Sequence, residues 1–304
     1  FLWTNNAKDK AGVTVVVIGL RTVSKFSKYI YSDERIAEAT NINAYLINTT
    51  SKTIVGKKSK PLSIIPTMDY GNKATDGGGL IMTLEEKNKI IEKCPEADVF
   101  IKKLIGSSEF IRGNERYCLW IADADYINAK RHKVIQERFD MVEKSRLAST
   151  KQNTRLLAEL PYKFEFISYN RSNSLIIPRV SSERRQYIPI GFLDSNTIIL
   201  DSAQAIYNAE PFMLSILSSK MHMTWVKTVS GRLKSDYRYS NTLSYNTFPI
   251  PPISKNRKVE LTQCALRIID ERLKHSEKTM AQLYDPDKMP EGLKEAHHQN
   301  DLAV

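Results

Sequence analysis

The chain has 304 residues, 41% hydrophobic and 26% charged, a balance that can bury a core and is inconsistent with a disordered tail. Forty-five Lys and Arg against 34 Asp and Glu give a formal charge of +11, so the surface should attract polyanions, either nucleic acid or an anionic membrane. Cys94, Cys118 and Cys264 lie far apart with no CxxC pair, which argues against a zinc ribbon or a disulfide framework and fits a reducing cytoplasm.

The sequence opens on Phe1-Leu2-Trp3 and soon enters Val13 to Leu20, a β-branched run expected as a buried central strand and too short to span a bilayer. Such a strand needs neighbours on both sides, so the chain is expected to start inside a domain. Between Asn41 and Pro66 short strands are expected, for example Ala44 to Ile47. Pro61, Pro66 and the glycines from Gly71 to Gly79 mark a loop. Thr83 followed by Glu85 and Glu86 marks a helix start, with Leu84, Ile90 and Ile91 as its apolar side. Tyr126 to Ala148 is expected as one helix, because Ile127, Val134 and Met141 recur at heptad spacing, flanked by Ile135, Phe139 and Val142. Its other face carries Lys130, Arg131, Lys133, Arg138, Lys144 and Arg146, readable as a solvated face or as phosphate contacts.

Pro161 to Leu200 turns to strands. Lys163 to Ile167 alternates with period two, and Leu175 to Pro178 and Tyr187 to Ile190 follow as short apolar runs whose prolines suit strand ends or edges. Phe212 to Val229 is expected as a buried helix. After the Pro-rich stretch Phe248 to Pro252, Val259 to Leu283 is an amphipathic helix candidate. Pro286 and Pro290 bracket a turn before a last helix near Glu291, and the chain ends in Asn300 to Val304 without a stop signal.

Motifs that carry catalysis are missing. No GxSxG, no phosphate-cradling GxxxxGKS/T and no compact Asp…Glu-x-Lys nuclease cluster occurs. An adenine methyltransferase needs a glycine loop after a strand and an Asn/Asp-Pro-Pro-aromatic turn. Asp76-Gly77-Gly78-Gly79 follows no clear strand, and Ile250-Pro251-Pro252-Ile253 has isoleucine where the amide should stand. His297 and His298 would point to different sides of a helix, and His222 in its apolar stretch reads as a core histidine.

Two stretches suit binding. If Gly231 to Ser240 is extended, Lys234, Asp236, Arg238 and Ser240 fall on one side, and Leu233, Ser235, Tyr237 and Tyr239 on the other. Lys or Arg donates to guanine O6 and N7 and Asp accepts from cytosine N4, so Lys234 and Asp236 could read both halves of one G·C pair. The same alternation also suits a charged edge strand protected from aggregation. Ser181-Ser182-Glu183-Arg184-Arg185 suits phosphate binding, or a plain polar loop between strands.

Several blocks, in order along the chain, resemble the C-terminal half of MmeI-like type II restriction-modification enzymes, which join nuclease, adenine methyltransferase and target recognition. They are Phe1 to Ala7 with Val13 to Leu20, Ala44-Tyr45-Leu46, Gly71-Asn72 with Asp76-Gly77-Gly78, Ile105 to Ile111 and Arg116 to Trp120. They continue with Val180 to Leu193, Leu217 to Met223, Gly231 to Ser240 and Leu283 to Pro286.

The resemblance implies an α+β fold. Residues 1–60 would be the last strands of a methyltransferase domain, 61–250 a DNA target recognition domain, and 251–304 a helical segment bracing it. It further implies that Lys234 and Asp236 select a base, with G on the strand being read, and that Arg238 reads another pair. Backbone contacts are expected from Arg184, Arg185, Ser181, Ser182 and Arg232. The expected partners are double-stranded DNA and the methyltransferase part, with a possible nuclease, of the same polypeptide in a bacterial cytoplasm, with no membrane. No cofactor is expected in this fragment; S-adenosylmethionine is expected in the full-length protein, and Mg if a nuclease is present. The alternatives are a free-standing nucleic-acid-binding protein and a scaffold that binds protein through its basic helix.

Overall fold

The computed structural model describes residues 2–3, 13–32 and 35–304. Phe1 and Thr4 to Ala7 of the first block lie outside them.

The fold is α+β, with several small sheets rather than one large one. A four-stranded antiparallel sheet runs in the order Gly191–Leu193, Ser174–Pro178, Ala203–Tyr207, Asp69–Tyr70. All five residues of Ser174–Pro178 are buried, which explains why this apolar run does not alternate. A second sheet runs Ile198–Ile199, Ile101–Ile105, Arg116–Leu119, Ile81–Thr83, its first pair parallel.

Each of these two sheets has its own core. Leu175, Ile177, Ile188, Ile190 and Ile206 pack with helices Pro211–Leu217, Lys220–Val229 and Lys255–Leu273. Leu80, Met82, Leu104 and Leu119 pack against Ile135, Phe139 and Val142 of helix Lys133–Leu147. A smaller cluster of Tyr187, Ile268, Leu283, Tyr284 and Leu293 holds the C-terminal helix Glu291–Ala303.

Several sequence expectations need correction. In the run Val13 to Leu20 only Val13–Thr14 form a strand, paired with Leu2–Trp3; Val16, Val17, Ile18 and Leu20 are 57–92% exposed, because no described element covers them. Ala44 to Ile47 is a turn with Leu46 at φ 60°, not a strand. Lys163 to Ile167 is not a strand but a single bridge between Phe166 and Lys73. Tyr187 to Ile190 is buried without strand pairing. The expected helix Phe212 to Val229 is two, divided at Ser218-Ser219, where Ser219 caps the second by accepting from His222 N.

The helix expected from Tyr126 to Ala148 is also two, Tyr126–Lys130 and Lys133–Leu147. The flanking set Ile135, Phe139 and Val142 is buried, while the heptad residues Ile127 and Met141 are exposed. Nor is its basic face uniform. Arg146 is 1% exposed and donates to the carbonyls of Ala74, Thr75, Leu157, Leu160 and Lys163. Arg138 donates to the carbonyls of Gly78, Gly79 and Ile81. These two arginines close the loop onto the helix and are spent on backbone.

The helix start at Thr83 matches expectation: a reciprocal capping box joins Thr83 and Glu86 on helix Leu84–Lys93.

Candidate nucleic-acid interface

Gly231 to Ser240 is a β-hairpin rather than one extended ribbon. Gly231–Leu233 pairs with Asp236–Arg238, leaving Lys234 and Ser235 as a two-residue loop. Such loops need positive φ, which Lys234 supplies at +56°. Asp236–Arg238 pairs on its other side with Val180–Ser181, so the hairpin extends a three-stranded sheet.

The alternation survives in the second strand. Tyr237 and Tyr239 are buried at 5% and 1%, while Arg238 is exposed and Asp236 half-buried. Tyr239 meets His222 Nε2 through its hydroxyl at 3.0 Å. The expected core histidine is thus the anchor beneath the hairpin, and burial lowers its pKa to about 3. In the first strand Arg232 lies over the Tyr237 ring at 3.9 Å and donates to the Ser235 carbonyl. Among the described residues, neither Lys234 nor Arg238 is ion-paired. Asp236 accepts from Glu183 N at 3.3 Å through one oxygen.

The neighbouring loop divides. Ser181 is 2% exposed and its hydroxyl has no partner, so the expected phosphate contact meets an inward side chain. Strand pairing at Val180–Ser181 turns it in. Ser182 is half-buried. Arg184 is exposed but paired with Asp287 at 2.5 Å. Arg185 is half-buried: burial lowers its pKa, and Asp236 and Asp285 act in the opposite direction.

Asp76 to Gly79 does not fit a cofactor loop. Both backbone amides of Leu80 and Ile81 donate to the Asp76 carboxylate. A Cβ on Gly79 would lie 2.4 Å from Val142 and 2.6 Å from the Arg138 carbonyl, so Gly79 is packed against helix Lys133–Leu147, while Gly77 and Gly78 are exposed. Ile250 to Ile253 lies outside any helix or strand. His297 is buried and His298 exposed, and among the described residues no three His, Cys, Asp or Glu side chains are grouped to hold a metal. No helix among them is long and apolar enough to cross a membrane.

Family models for the MmeI target recognition domain and the MmeI C-terminal domain match residues 49–252 and 253–304. The chain belongs to the MmeI target recognition domain family. DNA methyltransferase A of Bacillus subtilis (strain 168) is 44% identical over 100% of this chain, which spans 34% of that protein. The structure of the Type IIL restriction-modification enzyme MmeI in complex with DNA is similar with a TM-score of 0.90 at 36% identity, over 100% of this chain and 41% of that one.

In this MmeI-type recognition domain, sequence reasoning missed a cleft beside the hairpin. Arg179 links Ser174–Pro178 to Val180–Ser181, and its carbonyl accepts from Tyr239 N at 2.8 Å. Its guanidinium lies 5.0 Å from the Tyr70 ring centroid and donates to the Asp201 carbonyl at 2.8 Å. Tyr70, Phe166, Arg179 and Asp201 help line an open cleft of about 240 Å³. One sequence signal points to the hairpin rather than to this cleft: between Glu210 and Glu260 the only acidic residue is Asp236, among eight Lys and Arg. A surface that meets phosphate is expected to shed carboxylates.

Proposed function

We propose that this chain is the sequence-reading module of a restriction-modification adenine-N6 DNA methyltransferase, and that the hairpin Gly231 to Arg238 enters the major groove. The observation that carries the reading is the state of the hairpin. Lys234 and Arg238 are exposed, with no ion pair among the described residues, while Tyr237 and Tyr239 lock the backbone from below. Rigid backbone with unspent polar tips is what direct readout requires. Lys234 donates to guanine O6 and N7, Asp236 accepts from cytosine N4 with its remaining acceptor capacity, and Arg238 donates to a further guanine. Arg179, whose carbonyl accepts from Tyr239 N, and Asp201, whose carbonyl accepts from the Arg179 guanidinium, extend the same donor-acceptor surface. Arg232 and Ser182 face phosphates at the margin, and Arg184 does so on leaving Asp287.

S-adenosylmethionine chemistry, and Mg for any nuclease, belong in this reading to other parts of a longer polypeptide acting in a bacterial cytoplasm, since the Asp76 carboxylate already accepts from the amides of Leu80 and Ile81 and Gly79 is packed against helix Lys133–Leu147. The test is methylation of a panel of duplex sites by the intact polypeptide carrying Lys234→Glu with Asp236→Arg. The preferred base should change at one position, with discrimination of about 1–3 kcal/mol. An unaltered recognition sequence refutes the assignment.

A further inference from the structure

The segment from Gly56 to Pro66 runs beside the hairpin root and is sewn to the turn that follows it. Lys58 N donates to Thr242 O at 2.9 Å, Asn246 Nδ2 donates to Lys58 O at 2.9 Å, and Leu62 N donates to Asn246 O at 2.8 Å. Ile250 N donates to Ser63 Oγ at 2.8 Å and Tyr245 OH to Pro66 O at 2.7 Å. Both ends of the hairpin reach this turn, Asn241–Tyr245. Ser230 Oγ lies 2.7 Å from Ser244 Oγ, and Ser240 N donates to Ser244 Oγ at 2.9 Å. The strap and the hairpin root therefore share one hydrogen-bonded knot.

The strap is cationic where it meets this knot. Lys57, Lys58 and Lys60 are exposed, and among the described residues none of them pairs with a carboxylate. No Asp or Glu occurs between Glu38 and Asp69. Some exposed lysines elsewhere carry a counterion, as in Lys89 with Glu85 and Lys274 with Glu271, and others, such as Lys144 and Lys278, are in no ion pair among the described residues. Here the described residues supply none.

A major groove is about 12 Å wide and about 8.5 Å deep, with phosphates along both walls. A two-stranded ribbon seated in it brings its root to the groove lip, since its arms of about four residues span roughly 13 Å. Lysines fixed beside that root then face phosphodiesters rather than bases. We propose that Lys57, Lys58 and Lys60 grip the phosphodiester backbone of duplex DNA and set the depth and register of the reading hairpin. This rests on the reading of the hairpin proposed above.

The experiment measures binding of the intact polypeptide, across salt concentrations, to a duplex that it methylates and to one that it does not. Lys57→Gln with Lys58→Gln and Lys60→Gln should weaken both by a similar factor, on the order of tenfold. The slope of log K against log salt should become shallower by about one for each phosphate no longer neutralised. The corresponding triple arginine variant should restore both. Unchanged affinity and slope, or a weakening confined to the methylated duplex, overturns the strap's role while leaving the hairpin reading intact. Failure of the parent polypeptide to bind either duplex overturns both.

Discussion

Arg146 and Arg238 carry the same guanidinium into opposite surroundings. Arg146 is 1% exposed and answered by the carbonyls of five residues. Arg238 is exposed on a strand whose neighbours Tyr237 and Tyr239 are buried, and no carboxylate faces it among the described residues. The difference shows that a count of cations does not locate a polyanion surface. What matters is whether the protein has already supplied the acceptors. Around helix Lys133–Leu147 it has done so for Arg138 and Arg146; in the hairpin it has done so for Arg232, and for Lys234 and Arg238 no ion pair does so among the described residues.

The sharpest way to break this contrast is to remove each guanidinium. Arg146→Met leaves buried carbonyls without donors and should cost at least about 3 kcal/mol in a urea titration, because each unsatisfied buried acceptor costs about 1–3 kcal/mol. Arg238→Met should change stability by within about 0.5 kcal/mol, as other surface substitutions do, yet alter the methylated sequence at one position. Equal stability losses for the two variants would end the distinction.

The same contrast explains what could be read in advance. Helix starts marked by local chemistry, such as Thr83 with Glu86, were legible because the cap is made by neighbours in sequence. The hairpin's alternating faces were legible in Asp236 to Tyr239 for the same reason. The turn at Lys234 was not, because a lysine at φ +56° carries none of the usual glycine or asparagine signals. The fate of Arg146 was invisible, since its acceptors lie as far as 72 residues away. Likewise Arg179 and Asp201 come together only when Ser174–Pro178 pairs with Ala203–Tyr207. The exposure of Val16 to Leu20 has another cause: strand propensity does not provide a partner.

Buried imidazoles extend the comparison to pH. His222 beneath the hairpin and His297 against Tyr187 and Tyr284 both have pKa values lowered to about 3, chiefly by burial. The unfolded chain binds these protons near pH 6.5, so the stabilisation is fully present above that value and is lost as pH falls toward 3. Each histidine should cost up to about 2 kcal/mol by pH 5 relative to pH 7. Denaturant titrations at several pH values check this. His297→Gln should reduce the pH slope by about one proton, and a wild-type stability flat from pH 7 to 5 would mean that these rings are not desolvated.

The smallest effect sharpens the contrast most, because it sets stability against reading within one residue. Lys234 holds a left-handed backbone conformation that costs a side chain with a Cβ roughly 1–2 kcal/mol. Asparagine tolerates that region better, and its side chain can bond locally there. Lys234→Asn should therefore raise stability by up to about 1 kcal/mol in the same urea titration. It also removes the ammonium donor, so discrimination at that base pair should weaken by about 1–3 kcal/mol while the salt slope changes little if the lysine faces a base. A gain in stability with selectivity intact would make Lys234 an ordinary turn residue. A decrease in both would mean that its side chain, rather than a buried tyrosine, holds the hairpin. Only a gain in the first with a decrease in the second fits a backbone strained to present one amine.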